Sequence, residues 1–294
     1  MDESAWLLQR FEEHRGRLRA VAYRMLGSAS EAEDAVQETW LRLARADTGD
    51  VRNLPGWLTT VVARVCLNML RSRQSRREES LEVRVGDPVV CREDGGDPEQ
   101  EAVLADSVGL ALLVVLDVLA PAERLAFVLH DMFAVPFEDI GPMIERSPAA
   151  ARQLASRARR RVRGAEAVSE ANVVRQRRVV EAFLAASRGG DFEALLALLD
   201  PDVVLRADRA AGPTPAPVLL RGVRNVAKGA LLASERIRFT EAALVNGNVG
   251  LVMAPAGRLT VVLEFTIAED LITGVDVIAD PDRLRVLDLG VLDV

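Results

Sequence analysis

The sequence predicts a multi-domain chain: two all-α domains, the second with a helix-turn-helix, followed by an α+β domain. Three observations carry that prediction. The stretch Leu119–Arg163 breaks at prolines and a serine into three short helical segments. Capped amphipathic segments precede it, within residues 4–77. After about Ala171, helical segments come first and a run of strand-like segments follows.

The central stretch is LAPAERLAFVLHDMFAVPFEDIGPMIERSPAAARQLASRARRRVR. Pro121 opens its first helix and Pro136 its second, while Ser147 and Pro148 supply an N-cap and a first-turn proline for the third. In the third, Ala151, Leu154, Ala155, Ala158 and Val162 recur at helical spacing and form an inward stripe. The opposite face carries Ala149, Arg152, Gln153, Ser156, Arg157 and Arg160, flanked by Arg159, Arg161 and Arg163. Small and amide side chains early, then guanidiniums, suit a helix whose N-terminal end enters a major groove. Gln and Arg pair bidentately with base edges there, and the later arginines sit on phosphates. Phe137, Ile140, Gly141 and Ile144 give the supporting helix its apolar face. Two features fit this motif poorly. Pro142 removes a backbone donor and should kink the supporting helix, and Glu145 stands where the turn would take glycine most easily. An arginine-rich helix is commonly no more than a solvated face, so the reading needs support from the rest of the chain.

A chain of 294 residues has room for two or three domains, each with its own core. Its longest apolar run, from Val108, is interrupted by Asp117 and Pro121, so no membrane span is expected. The acidic start MDESAWLLQRFEEHR has no signal-peptide pattern, and Cys66 and Cys91 have no metal-like spacing; both point to a cytoplasmic protein. Net charge is −7, so nucleic acid would have to be met by the local arginine clusters around 64–77 and 146–163. Lys228 is the one lysine; the arginine bias reads mainly as genome composition and only weakly as selection for bidentate contacts.

From the start, Ser4–Leu26 reads as a helix with Phe11, Leu18, Val21, Ala22 and Met25 inward and Gly27 at its C-terminal cap. Ser30 and Glu33 form a capping box for the next helix, whose core stripe is Ala32, Ala35, Val36, Thr39 and Leu43. Asp34, Gln37, Glu38 and Arg42 face outward; alone, such an acidic face is ordinary solvated surface. Asn53-Leu54-Pro55 opens a third helix with Leu58, Val61, Val62, Val65 and Met69 inward. Thr60, Arg64, Asn68 and Arg71 share its other side, extended by Arg73, Arg76 and Arg77. That side reads as a DNA-facing surface, or as an amphipathic helix with a basic end.

The succession SEAEDAVQETWLRLAR, PGWLTTVVARVCLNMLRSRQSRR and the helix-turn-helix resembles a bacterial sigma factor of the extracytoplasmic-function (ECF) type. The match covers roughly the first 165 residues, with three motifs in family order, which is more specific than any one alone. The resemblance implies a sigma-2 domain over 1–79, a flexible acidic linker over 80–100 and a sigma-4 domain over 101–168. By position, Asp34, Gln37 and Glu38 would contact the clamp helices of core RNA polymerase. Thr60, Arg64, Asn68 and Arg71 would face the minus-ten promoter element. Arg152, Gln153, Ser156, Arg157 and Arg160 would face the minus-thirty-five duplex. In the linker, Gly86-Asp87-Pro88-Val89-Val90 stands where some members have an aromatic Trp-Leu-Pro-Glu-Pro motif. Asp97, Pro98 and Gln100 then cap a largely apolar helix over Val103–Leu119.

Beyond Ala171, Asn172–Ser187 is helical, Gly189-Gly190 is a break, and Asp191 caps FEALLALL ahead of a strand DVVLRA. A helix around Val223–Ser234 precedes strands at Ile237–Val245, Val249–Ala254, Arg258–Ile267 and Leu271–Ile278, with Asn246-Gly247 as a hairpin turn. The opening FLAASRGGDFEALLALLDPDVVLRAD is similar to SnoaL-like domains, cone-shaped α+β folds with a pocket, here over 172–294. A subgroup of ECF sigma factors carries such a domain at this place, so the halves corroborate each other. That subgroup's Asp-Gly-Gly-Gly motif reads Asp208-Arg209-Ala210-Ala211 here, so its role does not transfer. Its second motif has a counterpart in Asp280-Pro281-Asp282-Arg283-Leu284, read as regulatory.

Cone-fold enzymes need an acid or base with an oxyanion partner, yet this half has no His, Tyr, Trp or Cys. His14 and His130 lie in the other half and read as structural; Glu264, Asp276 and Asp280 are isolated carboxylates. The sequence therefore favours a non-enzyme without metal or cofactor, though a small ligand in the C-terminal pocket stays open. Three readings remain at this point. They are an initiation factor modulated in cis by its C-terminal domain, a DNA-binding regulator independent of polymerase holoenzyme, and an enzyme fused to a DNA-binding region.

Overall fold

In the computed structural model, helix α1 (Glu3–Leu26) ends at Gly27, whose φ of 76° only glycine adopts without strain. The structure describes residues 3–46, 53–83, 109–164, 170–212, 216–233, 237 and 239–292. Helix α2 (Ala29–Arg45) starts directly behind that glycine, and Ser28 is its N-cap, its hydroxyl accepting from the Glu31 amide at 3.5 Å. The N-cap thus falls two residues earlier than Ser30, and no reciprocal bond from Glu33 forms among the described residues. Only Ser28 has the extended backbone a cap requires; Ser30 is already helical and shares a 2.9 Å hydrogen bond with the Ser28 hydroxyl. Glu33 pairs instead with Arg15, and Glu31 with Arg73.

Helix α3 (Leu54–Val83) begins under the Asn53 side chain, which accepts from the Gly56 amide at 3.1 Å. Its buried arc is wider than one stripe: Leu58, Val62, Ala63, Val65, Cys66, Leu67 and Leu70 are interior, while Val61 and Met69 are half-buried. The reason is that α3 packs against α1 and α2 on one side and against the helix-turn-helix on another. The helix runs through Val83, into the stretch that composition assigns to the linker. The remaining linker residues, Cys91 and the Asp97–Gln100 cap lie outside the described residues.

The helix-turn-helix half comprises α4 (Leu110–Asp117), α5 (Pro121–Phe127), a π-helical turn (Val128–Met132), α6 (Phe137–Met143) and α7 (Pro148–Arg163). Pro136 serves as N-cap of α6 rather than as its first residue. Pro142 sits in the last turn of α6, where the helix stops one residue later and no interior kink arises. Glu145 carries the left-handed backbone of the turn, at φ 57°, and the Arg146 amide returns to the Gly141 carbonyl at 2.9 Å. A Cβ on Gly141 would come within 2.8 Å of the Arg146 carbonyl oxygen, so glycine lets α6 pack closely beneath the start of α7. His130 is structural: its Nδ1 lies 3.0 Å from the Val135 carbonyl and its ring stacks on Phe137.

Contacts divide the chain into two units, Met1–Leu104 with Leu116–Arg159, and Ala105–Val115 with Arg160–Val294. In the second, α8 (Glu170–Gly189), α9 (Phe192–Leu198) and α10 (Val223–Leu232) cover one face of a seven-stranded sheet. Its strands are β1 (Leu199–Ala207), β2 (Val218–Arg221), β3 (Thr240–Val245), β4 (Asn248–Met253), β5 (Val261–Ala268), β6 (Leu271–Ile278) and β7 (Leu289–Gly290). They lie in the order β2-β1-β6-β5-β4-β3-β7; β1 and β6 run parallel and every other pair antiparallel. Register shifts in β1 at 199–204 and in β5 at Thr266–Ile267 bend the sheet. Asn246 and Gly247 both have positive φ, the mirror-image turn a two-residue hairpin needs. Strands β2 and β7 and helix α11 (Pro281–Val286) are not predicted by the sequence; each is short, β2 and α11 are largely exposed, and the two residues of β7 are buried.

Between helices and sheet the space is filled by Val180, Phe183, Leu195, Val226, Leu251, Phe265 and Val275, which are buried and apolar. A surface hollow of about 290 Å³ lies elsewhere in this unit, lined by Arg177, Glu181, Arg188, Glu241 and Leu292 among others. Its polar groups are engaged: Arg177 pairs with Glu181, Arg188 donates to the Thr240 carbonyl, and Glu241 accepts from the Ala111 amide at 2.8 Å.

Candidate nucleic-acid interface

Helix α7 is held by what its sequence offers on each side. Ala151, Ala155, Ala158 and Val162 are fully buried, and small residues there let the helix sit close on its neighbours. Ser147 caps it, its hydroxyl accepting from the Ala150 amide at 3.2 Å. Arg152, Gln153, Ser156, Arg157 and Arg160 are all exposed on the opposite side, so the structure brings the five onto one surface. Arg152 is pre-positioned, its guanidinium carbon 5.2 Å from the centre of the Phe137 ring. Arg157 stands 4.0 Å from the buried Glu123 carboxylate, and Arg159 donates to Asp131 at 2.6 Å. These ties orient the arginines at the root of the helix while leaving Arg152 and Gln153 at its leading end.

On α3, Arg64, Asn68 and Arg71 are exposed and Thr60 is half-buried, its hydroxyl donating to the Gly56 carbonyl at 2.9 Å. Arg64 also donates to the Pro142 carbonyl of α6 at 3.3 Å. Arg73 does not extend this surface. Its guanidinium turns back to Glu31 and to the Leu26 carbonyl, closing α3 onto the α1–α2 junction. The side chains of Arg76 and Arg77 lie outside the described residues.

On α2, Ala32, Ala35, Val36, Thr39 and Leu43 are buried, as the periodicity requires, and Asp34 and Gln37 are exposed. Glu38 is half-buried and pairs with Arg42 one turn on at 2.8 Å. The face is thus acidic at Asp34 and partly neutralised at its C-terminal end.

The Asp280–Leu284 segment is the N-terminus of α11. Asp280 caps it, accepting from the Asp282 and Arg283 amides at 3.0 and 3.2 Å. Its anchor is Asp208, the first residue of the Asp208-Arg209-Ala210-Ala211 stretch. Its carboxylate accepts from the Ala279 and Asp280 amides at 2.9 Å each and from Ala210 at 3.1 Å, with Arg283 at 3.5 Å. Burial pushes the Asp208 carboxyl up, but those amides and the Arg283 guanidinium outweigh it and hold the group below its ordinary value. The place of the unmatched Asp-Gly-Gly-Gly motif and the second motif are therefore joined through one side chain. The chain then forms β7 on the β3 edge, pairing Leu244 with Gly290 and Val245 with Leu289. Val291 donates to the Val162 carbonyl in the last turn of α7 at 2.8 Å. The chain beyond α11 is thus an edge strand of the sheet up to Gly290.

Among the described residues, no three His, Cys, Asp or Glu side chains converge to hold a metal ion, and no helix is long and apolar enough to cross a membrane.

Residues 10–76 match the family model of sigma-70 region 2. The ECF RNA polymerase sigma factor SigJ of Mycobacterium tuberculosis is 40% identical over 246 residues, covering 82% of this chain and 78% of that protein. The probable ECF RNA polymerase sigma factor SigI of the same species is 38% identical over 199 residues, covering 68% of this chain and 69% of that protein. The crystal structure of SigJ superposes with a TM-score of 0.46 at 35% identity, covering 94% of this chain and 98% of that one. With SigJ 40% identical and covered over 78% of its length, and with region 2 matched over residues 10–76, the chain belongs to the ECF RNA polymerase sigma factors.

Proposed function

We propose that this sigma factor directs promoter-specific initiation through three surfaces and is modulated in cis by its sheet domain. Asp34, Gln37 and Glu38 of α2 meet the clamp helices of core RNA polymerase. Thr60, Arg64, Asn68 and Arg71 of α3 meet the minus-ten element. Arg152, Gln153, Ser156, Arg157 and Arg160 of α7 meet the minus-thirty-five duplex. The domains are 1–79, 80–100 as linker, 101–168 and 172–294, and the protein acts in the cytoplasm, where polymerase and promoter are.

The observation that carries this reading is the two-sided build of α7, buried alanines beneath and a leading Arg152-Gln153 pair above. Regulation in cis is supported by the bond from Val291 to Val162 at the end of that helix. Catalysis is no part of this reading, since the sheet domain contains no His, Tyr, Trp or Cys. Glu264 and Asp276, paired across β5 and β6, line a hollow of about 210 Å³ together with Val249 and Phe265, and no cofactor or small molecule is assigned to it. The test is assembly with core polymerase followed by binding to promoter fragments. The full chain should co-elute with core enzyme and shift a specific fragment; binding to DNA without any association with core would favour a polymerase-independent regulator.

A further inference from the structure

Arg124, on α5, is 1% exposed. It lies where the α1–α3 bundle packs on the helix-turn-helix, and its Nε donates to the Arg24 carbonyl at the end of α1 at 3.1 Å. One carboxylate faces it, Asp117, at the long distance of 3.5 Å from Nη1. Its Nη2 is buried and has no hydrogen-bond partner among the described residues. Arg73 adds a like charge nearby, and burial pushes the guanidinium down to about 10. A charge so held repays little of the cost of removing it from water, and an apolar side chain of similar volume often serves such a position better.

Other polar ties cross the same seam. Arg17 donates to the Phe133 carbonyl at 3.2 Å, and Arg17 and Arg24 lie over the Phe133 ring. Arg64 is tied to Pro142. On the reading proposed above, α3 and α7 must reach promoter elements about 25 base pairs apart, roughly 85 Å along the duplex. With Arg64 bonded to the helix beneath α7, both cannot be engaged at once, so the seam has to open.

We propose that Arg124 is a built-in destabiliser of this seam, a buried charge that regains water when the two helical bundles separate and so keeps the closed form close in free energy to the open one. The closed arrangement holds the two DNA-facing helices at a fixed short spacing, and Arg124 keeps it from becoming permanent. This inference rests on the sigma-factor reading only for its purpose; the conformational equilibrium is measurable without polymerase.

The experiment uses the full chain with donor and acceptor dyes on Glu12→Cys in α1 and Glu138→Cys in α6, in a Cys91→Ser background. Cys66 is buried, with its thiol pushed up to about 12, and stays unlabelled. Arg124→Met should lower the open fraction about tenfold. Arg124→Gln, which keeps a donor for the Arg24 carbonyl, should shift it in the same direction if the methionine variant does not fold. Asp117→Asn, which leaves the charge in place without its partner, should raise the open fraction. Apparent affinity for core polymerase should fall in the two neutral variants in proportion to the lost open fraction. An open fraction that rises or stays unchanged in both neutral variants would overturn the proposal, since Arg124 would then hold the seam together or play no part in it. A chain that changes its open fraction as stated but binds no core polymerase would sink the sigma reading and leave the inference standing.

Discussion

Gly164 and Gly290 meet backbone to backbone: a Cβ on Gly290 would stand 2.7 Å from the Gly164 Cα and 2.8 Å from the Arg163 carbonyl oxygen. Gly164 also has a φ of 71°, which ends α7 in the left-handed region. Gly290→Val should therefore force β7 off and break the bond from Val291 to Val162, at a cost of about 1–3 kcal/mol. Amide exchange at Val291 and Asn246 should accelerate, and transcription in a reconstituted assay should rise as it would on cutting the chain after Leu284. Wild-type exchange at both amides would show that the close approach has no structural weight.

Asp208 gives the sheet domain an acid-sensitive contact. Its folded-state carboxyl lies below the ordinary value, so the stabilisation is in place above the usual carboxylate range and is lost as pH falls through the folded value. Asp208→Asn should lower the denaturation midpoint near neutrality and flatten its decline in acid. Arg283→Glu should weaken the same anchor and mimic the tail cut in transcription. An unchanged acid profile in Asp208→Asn would mean that another carboxylate governs it.

The leading end of α7 and its later turns should separate by phenotype. Arg152→Ala or Gln153→Ala should relax sequence preference by about 1–3 kcal/mol per lost bidentate contact. Arg160→Ala should weaken all sequences alike and reduce the salt slope of binding by about 1. Salt titrations on matched and mismatched duplexes measure both. A base-specific effect from Arg160 with none from Gln153 would reverse the assignment of the face.

On α2, the buried stripe does not use Asp34 or Gln37, and Glu38 makes one exposed ion pair. Alanine at these three positions should change stability by about 0.5 kcal/mol or less each, while lowering affinity for core polymerase. Normal affinity in the triple variant would place the polymerase contact elsewhere.

Much of this architecture was legible because period and breakers agree. The α2 core stripe and the α7 stripe of alanines follow from spacing alone, and the turn position where glycine would fit most easily, Glu145, is the one with a left-handed backbone. What sequence reasoning missed depends on long-range partners. Ser28-x-x-Glu31 and Ser30-x-x-Glu33 are equally good capping boxes on paper, and only the end of α1 at Gly27 chooses between them. Arg73 has the spacing of a DNA-facing residue but is captured by Glu31, 42 positions earlier in the chain. Arg124 reads as an ordinary charged helix residue until α1 and α3 are packed over it. Asp208 gains meaning only when β1 and β6 align, which places it beside Ala279 and Asp280. Strand β7 is too short to show alternation, and its glycine signals a turn until Gly164 is placed against it.

The central claim, that this chain endows core polymerase with promoter choice, is tested most directly by run-off transcription with purified core enzyme on fragments from upstream of its own gene. The account predicts a discrete transcript that needs the full chain and is lost when Arg152 and Gln153 are both replaced by alanine. Core enzyme giving the same transcripts with and without the chain, on every fragment tried, would contradict it.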